Sequence, residues 1–89
     1  MSAHTPGPWS FYDDSNDGKT NRIEIVAIGK TVARIYHSVP AEDLPNARLI
    51  AAAPDLAFQL LAAANYIDAL GGDSKSYRAA ITKATGEQP

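Results

Sequence analysis

The chain has 89 residues, no cysteine and a formal net charge of −2. That length fits one domain, and the missing thiols exclude disulfides and thiolate metal sites. The mild acidity argues against nucleic-acid binding driven by phosphate contacts, which needs a basic excess.

Residues 1–8 read as an extended arm. Pro6 and Pro8 prevent helix and remove two ladder donors, so the arm is expected to run toward a sheet edge. WSFYD (Trp9–Asp13) alternates, with Trp9, Phe11 and Asp13 on one face and Ser10 and Tyr12 on the other, which predicts a first strand with its aromatic face inward. Ser15–Asn21 is a turn by composition, with Asp17-Gly18 suited to positive φ. RIEIVAI (Arg22–Ile28) predicts a second strand, with Ile23, Ile25 and Ala27 on one face and Arg22, Glu24, Val26 and Ile28 on the other. Gly29-Lys30 reads as a tight turn and TVARIYH (Thr31–His37) as a third strand, completing an antiparallel meander over 9–37. So small a sheet needs a covering element.

Ser38–Pro45 reads as a loop with a helical turn after Pro40, and 45–85 as the helical part. Pro54 interrupts the stretch NARLIAAAPDLAFQLLAAANYIDAL (Asn46–Leu70). Proline is tolerated at the first position of a helix, and Asp55 suits a first turn. The expectation is therefore a short helix over Pro45–Ala52 and a longer one over Pro54–Leu70, with a single helix kinked at Pro54 as the competing reading. Leu49, Ala53, Leu56, Leu60, Ala63, Ile67 and Leu70 follow a 4-3 spacing, which predicts a seam laid on the sheet. Ile50, Ala53, Ala57, Phe58 and Leu61 are the candidates for an interface with a second copy, giving a homodimer or higher oligomer. Gly71-Gly72 stops this helix, Asp73 or Ser74 caps a final one over Lys75–Thr85, Gly86 ends it, and Glu87–Pro89 is expected to fray. The fold class is thus α+β: a three-stranded meander followed by Ala-rich helices that pack on the sheet and on a second subunit.

Chemistry is sparse. A small domain buries only about 60% of its unfolded surface, so a metal or self-association would help stabilise it. His4 and His37 lack ligand spacing, and Asp13, Asp14 and Asp17 match a turn better than a calcium loop. Glu42 and Asp43 fit the charging of a helix start. His37 and Ser38 are adjacent on a strand and point to opposite faces, which makes a poor dyad. No nucleophile elbow or phosphate loop occurs. No catalytic role, cofactor or metal is expected. Asn46 and Arg48, read as a helix start with free backbone donors beside an arginine, form a candidate anion site, and Arg34 and Tyr36 are further ligand candidates. Trp9, Tyr12, Tyr36 and Tyr66 are aromatics able to stack on a base, Trp9 being better suited to the core. The longest apolar run, Leu49–Leu61, is too short and too interrupted to cross a membrane, and residues 1–9 lack the layout of a signal peptide, so a cytoplasmic location is expected.

HTPGPW (His4–Trp9) and NARLIAAAPDL (Asn46–Leu56), separated by a short β region and followed by an Ala/Leu-rich helix, resemble small accessory proteins of tailed bacteriophages and prophages. The family pattern continues with leucine after PDL, where this chain has Ala57. The resemblance implies a phage protein in a bacterial host, and host-defence antagonism as its setting. More loosely, the architecture resembles the anti-Thoeris sponge proteins, which implies a cyclic nucleotide or another phosphate-bearing small molecule as ligand. The alternatives are an anti-CRISPR-like inhibitor of a host defence protein and a structural or regulatory phage protein.

Overall fold

The computed structural model describes residues 4–13, 22–36 and 40–86. The expectations for Asp14, the Ser15–Asn21 turn, His37, Ser38 and Glu87–Pro89 lie outside the described residues. The elements are β1 (Ser10–Asp13), β2 (Arg22–Ala27), β3 (Lys30–Tyr36), α1 (Pro40–Ala51), α2 (Ala53–Ala69) and α3 (Lys75–Thr85). The chain divides into two compact units, Thr5–Pro54 and the residues from Asp55 onward together with His4.

The first unit is an antiparallel sheet of order β1-β2-β3 with α1 against it. Phe11 aligns with Ile25, and Ile23 and Ile25 align with Ile35 and Ala33. Because side chains alternate along a strand, these residues share one face. Ile23 and Ile25 are fully buried there and cluster with Ala47 of α1, while Trp9, Phe11, Ala33, Ile35 and Ile50 pack around them. The alternation read from WSFYD and RIEIVA holds. The β2–β3 turn falls one residue earlier than expected, at Ile28-Gly29, because Ala27 pairs with Lys30, and β3 carries an irregularity opposite Ile25/Val26. Ile28 is 93% exposed at that tip.

The helix over this sheet starts earlier than the sequence suggested. α1 begins at Pro40, so Asn46 lies in its interior and not at its start. Pro45 sits inside the helix, where proline removes one ladder bond and crowds the preceding turn. The opposing contributions are Pro40 at the first position, Glu42 and Asp43 in the first turn, and burial of one stripe. That stripe is Asp43, Ala47 and Ile50, at i, i+4 and i+7. It changes two expectations. The sheet is covered by α1 through Ala47 and Ile50, so Ile50, an expected interface residue, is half-buried against its own sheet. Leu49, expected in the sheet-covering seam, is exposed.

The two sequence motifs meet inside this unit. The indole Nε1 of Trp9 donates to the Thr5 carbonyl at 3.1 Å and draws the arm back on itself. A Cβ on Gly7 would lie 3.0 Å from Cβ and 3.2 Å from Cγ of Pro54, so the proline ring occupies the space a side chain would need. Gly7 of the first motif and Pro54 of the second are thus two sides of one contact.

Ala52 separates α1 from α2, so Pro54 opens a second helix, within one residue of the expected start. In the second unit, α2 ends in a glycine stop. Gly71 adopts φ 81°, its N–H donates to Asp68 O at 3.0 Å, and the Gly72 N–H donates to Ile67 O at 2.9 Å. α3 spans the expected residues. Asp73 Oδ1 accepts from the Lys75 N–H at 2.9 Å, and Gly86 closes the helix at φ 75°. Among the described residues of this unit, Ala64 of α2 and Ile81 of α3 are the buried apolar ones. Along α2, Ala57, Leu60, Leu61 and Ile67 flank Ala64 as a half-buried face, while Leu56, Phe58, Tyr66 and Leu70 stand exposed. The 4-3 seam expected to bury itself therefore divides between two faces, and the expected interface set divides as well: Phe58 and Ala53 are open, Ala57 and Leu61 half covered.

Candidate functional site

The sheet has a second face. Strand register places Tyr12 opposite Glu24, Glu24 opposite Arg34, and Arg22 opposite Tyr36. Alternation sends all five side chains to the side away from Ile23, Ile25 and α1. Tyr12, Glu24 and Arg34 form one row across three strands, and Arg22 and Tyr36 form the next.

Glu24 organises this face. It is only 3% exposed, and a carboxylate taken that far out of water requires cationic partners. Arg34 Nε donates to Glu24 Oε1 at 3.1 Å and lies 2.9 Å from Oε2, while Arg22 Nε lies 3.6 Å from Oε1. Two guanidinium groups on one carboxylate leave a local charge of +1. Both Arg34 contacts run through Nε, the inner nitrogen of its guanidinium, and 48% of the side chain remains exposed. The hydrogen bond that Arg34 donates to Glu24, then the carboxylate's charge, raise the Arg34 pKa, with smaller contributions of the same sign from the Tyr36 and Tyr12 phenols. The result is a cation fixed by a buried carboxylate, with the exposed Tyr36 two residues along the same strand and the exposed Tyr12 in the same row beyond Glu24. Such an arginine presents donors in a set orientation to a phosphate or carboxylate, and the rings offer stacking surfaces to a planar group.

The structure brings Arg34 and Tyr36 together and separates them from Asn46 and Arg48. The latter pair are exposed positions on α1, which packs on the opposite face of the sheet. Arg48 lies in the last turn of α1, where a cation complements the helix dipole. Asn46, in mid-helix, has no unsatisfied helix-start donors beside it. Glu24 was missed as a site residue, yet its signal was present: a carboxylate inside an apolar strand, ten residues before an arginine in the next strand of a meander.

A second polar cluster fastens α2 to α3. Ser74 Oγ donates to Asp68 Oδ1 at 2.6 Å, Arg78 Nε donates to Ser74 Oγ at 3.0 Å, and Arg78 Nη2 reaches Asn65 Oδ1 at 2.8 Å and Asp68 Oδ2 at 2.5 Å. The Ser74 bond first, and the Arg78 bond second, hold the Asp68 carboxyl below its ordinary value. An open cleft lies beside these groups, with Lys75 and Asp73 on its wall. The four partners satisfy one another, so the cluster reads as a structural clasp.

The fold is a small α+β one: a three-stranded sheet with a helix on one face and an arginine–tyrosine platform on the other. The chain belongs to the family of the Salmonella phage P22 protein Y8K6, whose family model matches residues 1–88. That family places the chain among bacteriophage proteins. No curated protein and no solved structure matches it. Among the described residues, no single helix is long and apolar enough to cross a membrane.

Proposed function

We propose that this phage protein is a non-catalytic accessory factor that captures a nucleotide-type anion on the outer face of its sheet, and that this capture antagonises a host defence. The phosphate takes the outer nitrogens of Arg34, and the base stacks on Tyr12 or Tyr36. The observation that carries the reading is the buried Glu24 beneath a half-exposed Arg34. A guanidinium held in place loses less freedom on binding than a free surface arginine. Calorimetry against a panel of cyclic and linear nucleotides tests it. Binding by at least one, abolished in Arg34→Ala and retained in Arg48→Ala, supports the assignment. No heat from any nucleotide rejects it.

A second reading has its own support. The exposed Phe58, 69% open, lies outside the half-buried face of α2 and gives a protein partner an aromatic anchor. An inhibitor acting on a host protein, in the manner of an anti-CRISPR protein, would lose its target in Phe58→Ala and keep it in Arg34→Ala.

A further inference from the structure

The exposed side of α2 carries a pattern of its own. Leu56, Gln59, Ala63, Tyr66 and Leu70 are spaced three, four, three and four residues apart, and all five are exposed. They are distinct from the half-buried face of Ala57, Leu60, Leu61, Ala64 and Ile67. An exposed 3-4 seam is the pattern by which one helix packs along another.

The seam is close to palindromic about Ala63. Leucine stands seven residues to either side, at Leu56 and Leu70, and a long side chain able to hydrogen-bond stands at Gln59 and Tyr66. A surface that matches itself when reversed is what a two-fold axis requires. We propose that α2 pairs with α2 of a second copy in antiparallel orientation, with Ala63 on the two-fold axis. Leu56 then meets Leu70 of the other copy, Gln59 and Tyr66 lie one residue out of register within reach of their long side chains, and the two Ala63 methyl groups allow close approach. A parallel pair would stack Gln59 on Gln59, place Asp55 beside Asp55 and align the two helix dipoles.

Area sets the strength. Leu56, Tyr66 and Leu70 are 54%, 65% and 70% exposed. They offer roughly 350 Å² of mainly apolar surface per copy, a patch in the range associated with interaction sites. That is below the roughly 800 Å² per partner of a standard stable interface, so the pair should be concentration-dependent. This inference is independent of the sheet-face ligand.

Single-cysteine variants test it in a chain that has no cysteine of its own. Under oxidation at tens of micromolar, Ala63→Cys cross-links to itself. Leu56→Cys and Leu70→Cys cross-link when mixed with one another and not when oxidised separately. Sedimentation of the wild type shows monomer converting to dimer over the same range, and Ala63→Glu remains monomeric with its helical signal intact. Self-cross-linking of Leu56→Cys alone, a wild type that stays monomeric at hundreds of micromolar, or a dimer that survives Ala63→Glu would overturn the proposal.

Discussion

Ile25 tests whether the inner face of the sheet is the core of the first unit. Its side chain is fully buried between Phe11 and Ala33 on the neighbouring strands and clusters with Ala47 of α1. Ile25→Ala removes three carbons, a transfer loss of about 2.4 kcal/mol at ~0.8 kcal/mol per group. The cavity left in a tightly packed site adds about 1 kcal/mol, for a total of about 3–4 kcal/mol. A chain of this length has a stability of about 4–13 kcal/mol, so the substitution removes a large share of it. In a domain this small, that lowers Tm by roughly 12–30 °C. Urea denaturation followed by circular dichroism measures the loss, with Ile28→Ala at the exposed turn as control, expected within about 0.5 kcal/mol of wild type. Equal costs for the two variants, or a loss below about 1 kcal/mol for Ile25→Ala, would refute the assignment of the core. Glu24 precedes Ile25 on the same strand and faces the other way, so a severe Ile25→Ala phenotype should also abolish ligand capture.

Gly7→Ala forces a methyl group against the rigid Pro54 ring and should cost about 1 kcal/mol, read as a fall in Tm of about 4–8 °C. Gly71→Ala places a side chain at φ 81° and should cost about 1 kcal/mol, measurable as easier urea unfolding. The Asp68 carboxyl is held below its ordinary value of 3.8, so the clasp with Ser74 and Arg78 stabilises the fold above that pH and is lost as pH falls below it. An acid titration of helical signal should show this loss in wild type and a shallower one in Asp68→Asn. Glu24→Gln keeps the shape of the sheet face and removes the charge that fixes Arg34, so nucleotide affinity should fall about tenfold or more, and Tm should fall as well because Arg22 and Arg34 lose their shared counter-charge.

The sheet was legible because alternation is a strong local signal: WSFYD and RIEIVA each place their apolar residues on one side, and pairing follows from short turns. The α2 and α3 boundaries were legible for a similar reason, since Pro54, Gly71-Gly72 and Gly86 act within a turn of where they stand. The start of α1 was not. Pro45 looks like a helix opener, but burial of Ala47 and Ile50 carries the helix through it, and burial depends on the sheet opposite. The same dependence moved Asn46 and Arg48 away from a helix start. Asn46 and Arg48 are plausible only if a helix starts at Pro45. Arg34 and Tyr36 fall together whatever α1 does, because strand register alone sets them side by side. The division of α2 into two faces was also hidden, since a helix rich in alanine and leucine offers several seams of equal spacing and the sequence does not say which one is buried.

The central claim is that ligand is captured on the sheet face bearing Glu24 and Arg34. Amide chemical-shift mapping during titration with the nucleotide that binds in calorimetry tests this directly. The account predicts that the shifts centre on Tyr12, Glu24, Arg34 and Tyr36, on three adjacent strands, and vanish in Arg34→Ala. Shifts centred on Asn46 and Arg48 of α1, or on Lys75 and Arg78 of α3, with the sheet unmoved, would contradict it.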